Sequence, residues 1–121
     1  MKKENDKKVV FVGHPVSGDI SGNIKKILNI CKQIHNEHII PCVPYLVPLQ
    51  YLNDAILEDR ELGIVANLEC FRRGFIDEVW LFGDHISEGM KREIAFAEEL
   101  NIPVLPKTLG TKTYLINCKE S

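Results

Sequence analysis

No stretch of the 121-residue sequence approaches the roughly 18 consecutive apolar residues of a membrane-spanning helix. A basic excess is also missing. The formal net charge is −2, and Lys and Arg are scattered once the start Met1 to Lys8 is passed. Surfaces that bind phosphate backbones carry a clear positive excess, so a nucleic-acid polymer and a membrane are not expected partners. Cys31, Cys42, Cys70 and Cys118 make no C-x-x-C pair, which disfavours a zinc knuckle or a dithiol redox motif. Neither G-x-G-x-x-G nor a P-loop occurs, which removes the usual signs of NAD and ATP binding. His14 and His85 have no third ligand at convincing spacing, so no metal and no cofactor is expected.

The start MKKENDKK has no apolar run before Val9. Val9 to Val12 is shorter than the h-region of roughly seven or more residues that a signal peptide needs. The expectation is a charged, solvated tail over residues 1–8 and one domain over residues 9–121. A cytoplasmic, reducing setting would keep the four cysteines as buried or half-buried thiols.

What is present is enough for a packed core. Apolar residues make up 45 % and charged residues 26 %, the balance of an ordinary globular domain. Lys8 to Gly13 is a β-branched run ending in Gly and reads as a strand buried on both faces. The stretch from His14 to Asn23 is dense in Gly, Ser, Asp and Pro and reads as a loop. Asp19 or Ser21 then caps a helix to about Asn36, with Ile20, Ile24, Ile27, Leu28, Cys31 and Ile34 at helical spacing. Ile39 to Val43 is a second strand, and Pro41 places it at a sheet edge. Pro44 to Asp54 reads as an irregular connection.

A second helix spans about Asp59 to Arg73, with Leu62, Val65, Ala66, Leu68 and Phe71 inward and Gly74 as its stop. Asp77 to Phe82 is a third strand, with Trp80 in its buried pattern. Ser87 caps a third helix to about Asn101, with Met90, Ile94, Ala97 and Leu100 on the inner face. Pro103 to Leu105 is a fourth strand, and Lys112 to Asn117 a fifth. The fold class is therefore α/β: one three-layer domain with a parallel, Rossmann- or flavodoxin-like sheet of four to five strands and helices on both faces. Right-handed crossovers suggest the order 2-1-3-4, which reverses between strands 1 and 3. Open α/β sheets bind ligands beyond the carboxyl ends of the strands at that reversal. The site is expected between the loop His14 to Asp19 and the loop Gly83 to Gly89.

Chemistry-bearing residues cluster there. The small residues Gly13, Ser17, Gly18 and Asp19 lead into a helix N-terminus, which favours an anion. Glu93 flanks the inner face of the third helix and could attack a sugar C1′. Asp84 and Glu69 are the further acid candidates, because paired carboxylates can divide the roles of nucleophile and proton donor. Tyr45 could stack on a base.

The segments Val10 to Asp19, Asp77 to Asp84, Ile86 to Met90, and Glu93-Ile94 together resemble the nucleoside 2-deoxyribosyltransferase-like superfamily, nearest its small bacterial and phage members. The resemblance covers about Val9 to Val104. It implies that Glu93 attacks C1′ of a deoxynucleoside and releases the base. It also implies that Ser17, Gly18 and Ser87 hold a 5′-phosphate, as in the 2′-deoxynucleoside 5′-phosphate N-hydrolases. The second acid it implies would be Glu69 or Asp84. The first loop departs from the family pattern in His14-Pro15-Val16. The candidate binding set is Gly13, His14, Pro15, Ser17, Gly18, Asp19, Tyr45, Ser87, Gly89 and Met90. The implied partner is a nucleoside or nucleotide, and the implied assembly a homo-oligomer. Three readings stand: an enzyme that cleaves or transfers an N-glycosidic bond, a nucleotide-binding module without turnover, and an interaction protein with a vestigial cleft.

Overall fold

A computed structural model describes residues 6–120. The chain runs β1 (Lys8–Gly13), α1 (Ile20–Ile34), β2 (Ile39–Cys42), a 3₁₀ turn (Pro48–Gln50), α2 (Leu57–Arg72), β3 (Glu78–Leu81), α3 (Glu88–Glu99), β4 (Val104–Pro106) and α4 (Leu109–Glu120). The four strands form one parallel sheet in the order β2-β1-β3-β4. β1 pairs on both sides, so its β-branched run has no solvent edge. Pro41 stands opposite Val10 on the outermost strand β2, where its missing N–H costs no ladder bond. Of the charged start, Met1 to Asn5 lie outside the described residues. Lys8 already belongs to β1, and Lys7 Nζ donates to the Glu37 carbonyl at 2.8 Å.

Alternation along the strands divides the core in two. Phe11, Val79 and Leu81 pack with Phe71 of α2 and with Met90 and Ala97 of α3. The Phe11 and Phe71 rings lie 4.8 Å apart. Val10 and Val12 point the other way, towards the side where Ile27 of α1 is fully buried. Asp19 caps α1 by accepting from Gly22 N at 3.0 Å, and Ser87 caps α3 by accepting from Met90 N at 3.3 Å. Gly74, at φ +77°, ends α2 in a conformation that disfavours any side chain. Ile20, Leu28 and Leu100, expected inward, are each about half exposed at the margins of their helices.

Three expectations are corrected. Lys112 to Asn117 is not a fifth strand but part of α4. Its Thr and Ile residues mimic a strand, yet Thr111, Tyr114 and Leu115 recur at helical spacing and turn to the core. Trp80 is half-buried, on the face away from Phe11. Its Nε1 donates to Glu78, and Lys107 Nζ lies 4.0 Å from the ring centroid. On α2, Leu62, Val65 and Ala66 face outward, while Asn67 and Phe71 are buried. No helix among the described residues is long and apolar enough to cross a membrane.

α4 is fastened to the loop after β3. Thr108 Oγ1 donates to the Gly83 carbonyl at 2.6 Å, and Thr111 Oγ1 donates to the Leu81 carbonyl at 3.3 Å. A Cβ on Gly110 would collide with the backbone of Asp84. Gly110→Ala is therefore expected to destabilise the domain by about 1–3 kcal/mol, measured by urea unfolding. An unchanged midpoint would show that this close approach does not exist.

Candidate active site

The reversal between β1 and β3 opens a cleft of about 690 Å³. Its base is formed by the loops after β1 and β3 and by the start of α3. The 3₁₀ segment and α2 wall the opposite side, with Pro48, Leu49, Leu52 and Ile64 supplying apolar surface.

Glu93 is the only buried acid among the described residues, and it lines this cleft. Met90 and Ala97 anchor α3 against the sheet, and Glu93 shares their inward stripe. Asn67 Nδ2 donates to Glu93 Oε2 at 2.9 Å. A Cβ on Gly13 would lie 3.7 Å from Glu93 Oε1 and 3.0 Å from Leu81 Cδ2, so a small residue at 13 leaves room for the carboxyl. Burial pushes the Glu93 pKa up to about 8, against the opposing pull of the Asn67 hydrogen bond and the Arg92 charge. At neutral pH the carboxyl is mostly protonated. Among the described residues, none gives Asn67 Oδ1 a hydrogen bond.

Tyr45 lines the cleft with its hydroxyl already engaged, donating to the Val12 carbonyl at 2.7 Å. Burial, and then the nearby Glu93, hold its pKa well above the usual phenol value. It is a neutral wall, braced against Phe11 at a ring separation of 5.9 Å. His14 is buried, and its Nδ1 lies 2.6 Å from the Pro15 carbonyl. A carbonyl can only accept, so this bond assigns the proton to Nδ1 and leaves Nε2 an acceptor. Burial, foremost, lowers the His14 pKa and favours the neutral ring.

Ser17, Gly18, Ser87, Gly89 and Met90 line the cleft, whereas Gly13, Pro15 and Asp19 do not. Gly13 underlies Glu93, Pro15 packs beneath the loop against Gly83, and the Asp19 carboxylate is taken up by its capping bond. Asp84 is also outside the cleft lining, with a nearly fully exposed carboxylate that accepts from His85 Nδ1 at 2.7 Å. That bond, above all, lowers its pKa. Glu69 does not line the cleft either; it pairs with Arg72 at 3.6 Å and with Arg73 at 2.9 Å. Sequence reasoning missed Asn67, Arg60, Arg92, Asp54 and Asp59, all of which line the cleft. Asn67 had a readable signal, as a polar residue on the stripe shared by Ile64, Leu68 and Phe71. The others had none. No group of three or more His, Cys, Asp or Glu among the described residues could hold a metal ion.

Residues 8–106 match the domain of unknown function DUF7768. The chain belongs to the DUF7768 family. The DUF7768 span opens with β1, closes with β4 and contains every residue that lines the cleft, while α4 lies beyond it. No curated protein and no solved structure matches the chain significantly.

Proposed function

We propose that the cleft binds a nucleotide or deoxynucleotide and cleaves or transfers its N-glycosidic bond through Glu93. The observation that carries this reading is a buried carboxyl at the base of a cleft large enough for such a ligand. Its supports are the resemblance of the loops and the α3 N-terminus beside Ser87, which suits an anionic ligand; Arg60 and Arg92 line the cleft together with Asp54, Asp59 and Glu88. In this scheme one Glu93 oxygen bonds to C1′ and the bond from C1′ to the base nitrogen breaks. The electron pair leaves with the base, which takes a proton from water, and the attacking water or second base later returns one to solvent. Water or a second base then attacks C1′ and frees the carboxylate.

Only the ionised carboxyl can attack. Below its pKa of about 8, kcat/KM is expected to rise roughly tenfold per pH unit and then to level off. A profile flat from pH 6 to pH 9 would show that the attacking group does not have this raised pKa. The direct assay incubates the protein with a panel of deoxynucleoside monophosphates and detects free base.

A second reading, a nucleotide-binding module without turnover, is favoured by one observation. The side chain that touches the Glu93 carboxyl is the amide of Asn67, which cannot pass a proton to a leaving base. Under that reading no base appears, yet a nucleotide raises the melting temperature.

A further inference from the structure

His14 is buried, titratable and idle in the reaction proposed for the cleft. It is the first residue after β1 and only 7 % exposed, yet it lines the cleft. Its Nδ1 is committed to the Pro15 carbonyl at 2.6 Å. Nε2 has no hydrogen-bond partner among the described residues. It is not closed off either, because Asn67 Oδ1 is the only partnerless side-chain nitrogen or oxygen among them that solvent does not reach. The surface that Nε2 keeps therefore opens on the cleft. With the proton on Nδ1, Nε2 presents a lone pair there. Burial, foremost, lowers the His14 pKa against the pull of the Pro15 carbonyl; Lys26 and His85 act with burial, and Asp84 against it.

Glu93 and His14 approach the cleft from different faces of the sheet. A Cβ on Gly13 would lie 3.7 Å from Glu93 Oε1, on the face covered by α2 and α3. In extended chain the next residue turns the other way. His14 accordingly feels the charge of Lys26 on α1, the helix of the other face. Its Cδ2 would lie 3.7 Å from a Cβ on Gly83, in the loop after β3. A ligand in the cleft is thus met by Glu93 on one side and by His14 on the other. Displacement at C1′ runs in line. A base expelled by Glu93 departs on the side away from it, and the group that resolves the glycosyl ester enters from that side.

We propose that His14 is the general base of the second half-reaction, its Nε2 taking a proton from the water that attacks C1′ of the Glu93 glycosyl ester. The water oxygen bonds to C1′, the bond from C1′ to the Glu93 oxygen breaks, and its electron pair restores the carboxylate. The proton passes to Nε2 and from there to solvent. The products are the free base and a sugar phosphate with a hydroxyl at C1′, so the acceptor is water and the reaction a hydrolysis. This inference rests on the function proposed for the cleft.

His14→Asn tests it, because the amide keeps an N–H to offer the Pro15 carbonyl and removes Nε2. With a panel of deoxynucleoside monophosphates the wild type is expected to release base steadily. The variant should give a burst of about one base per chain and then turn over roughly 10²–10⁴-fold more slowly. The intact chain should gain the mass of the bound sugar phosphate during the burst. Azide attacks without losing a proton, so it should restore turnover to the variant and yield the glycosyl azide. On the wild type, the glycosyl ester formed in a single turnover should decay more slowly in heavy water, a reading that needs no variant. A variant that turns over without a burst or is not rescued by azide, or a decay that heavy water leaves unchanged, overturns the role of His14 and leaves Glu93 in place. No base from the wild type with any member of the panel overturns the function proposed for the cleft, and this role with it.

Discussion

Glu93→Gln is expected to abolish base release while making the protein more stable, and increasingly so as the pH rises from 5 to 8. An amide cannot form the glycosyl ester, so turnover should fall to background. The stability gain follows from proton linkage. Burial holds the folded pKa at about 8, against an ordinary value of 4.5. Below the ordinary value both the folded and unfolded chains carry the proton, and the carboxyl costs nothing. Between the two values the unfolded chain gives up its proton first, so stability falls as pH rises, by about 1.4 kcal/mol per unit. Above the folded pKa the penalty is complete, about 5 kcal/mol as an upper bound.

Glutamine does not titrate and escapes this cost. The melting-temperature gap over wild type should reach on the order of 10 °C by pH 8 and nearly vanish by pH 4.5. Turnover that survives the change refutes Glu93 as nucleophile. A gap that does not vary with pH means that Glu93 lacks a raised pKa, whatever its role in turnover.

Asn67→Asp is the second large effect. It places a second carboxyl within hydrogen-bond reach of Glu93 in a buried setting. Two such groups cannot both ionise at low cost, so one proton should be shared between them. At pH 5 the shared proton supports a hydrogen bond, and the variant should be about as stable as wild type. By pH 8 or 9, forcing off the last proton should cost several kcal/mol, seen as a melting temperature that drops more steeply with pH than that of wild type. The same change supplies a proton donor for a leaving base, an effect of typically 10²–10⁴-fold in rate. A variant that titrates as described yet releases no base would favour the binding module. One whose stability follows wild type at every pH would show that residue 67 does not meet Glu93.

Much of the frame was legible because its signals are local. β1 is bounded by its own β-branched run and terminal glycine, and Asp19 and Ser87 declare two helix starts by capping chemistry. Pro41 marks an edge strand by lacking a donor. The loops that frame the cleft follow from element order and crossover handedness. The misreadings share one cause, which is that two short-range patterns fitted equally well. In α4, Thr and Ile content resembled a strand until the packing of Thr111, Tyr114 and Leu115 showed the helical period. In α2, either apolar flank could have faced inward.

The sequence by itself determined the α/β alternation, the strand order and the position of the cleft, because propensity, capping and right-handed crossover act over a few residues or one connection. Only the tertiary structure decided which flank of α2 meets the core. It also decided that Asn67, and not Glu69 or Asp84, is the side chain that touches Glu93. Asn67 and Glu93 lie on separate helices, and their meeting depends on how α2 and α3 are rotated against the sheet. That rotation is set by side-chain packing across the core. Burial, which sets the proton affinity of Glu93, is likewise a property of the assembled layers and not of any short stretch of chain.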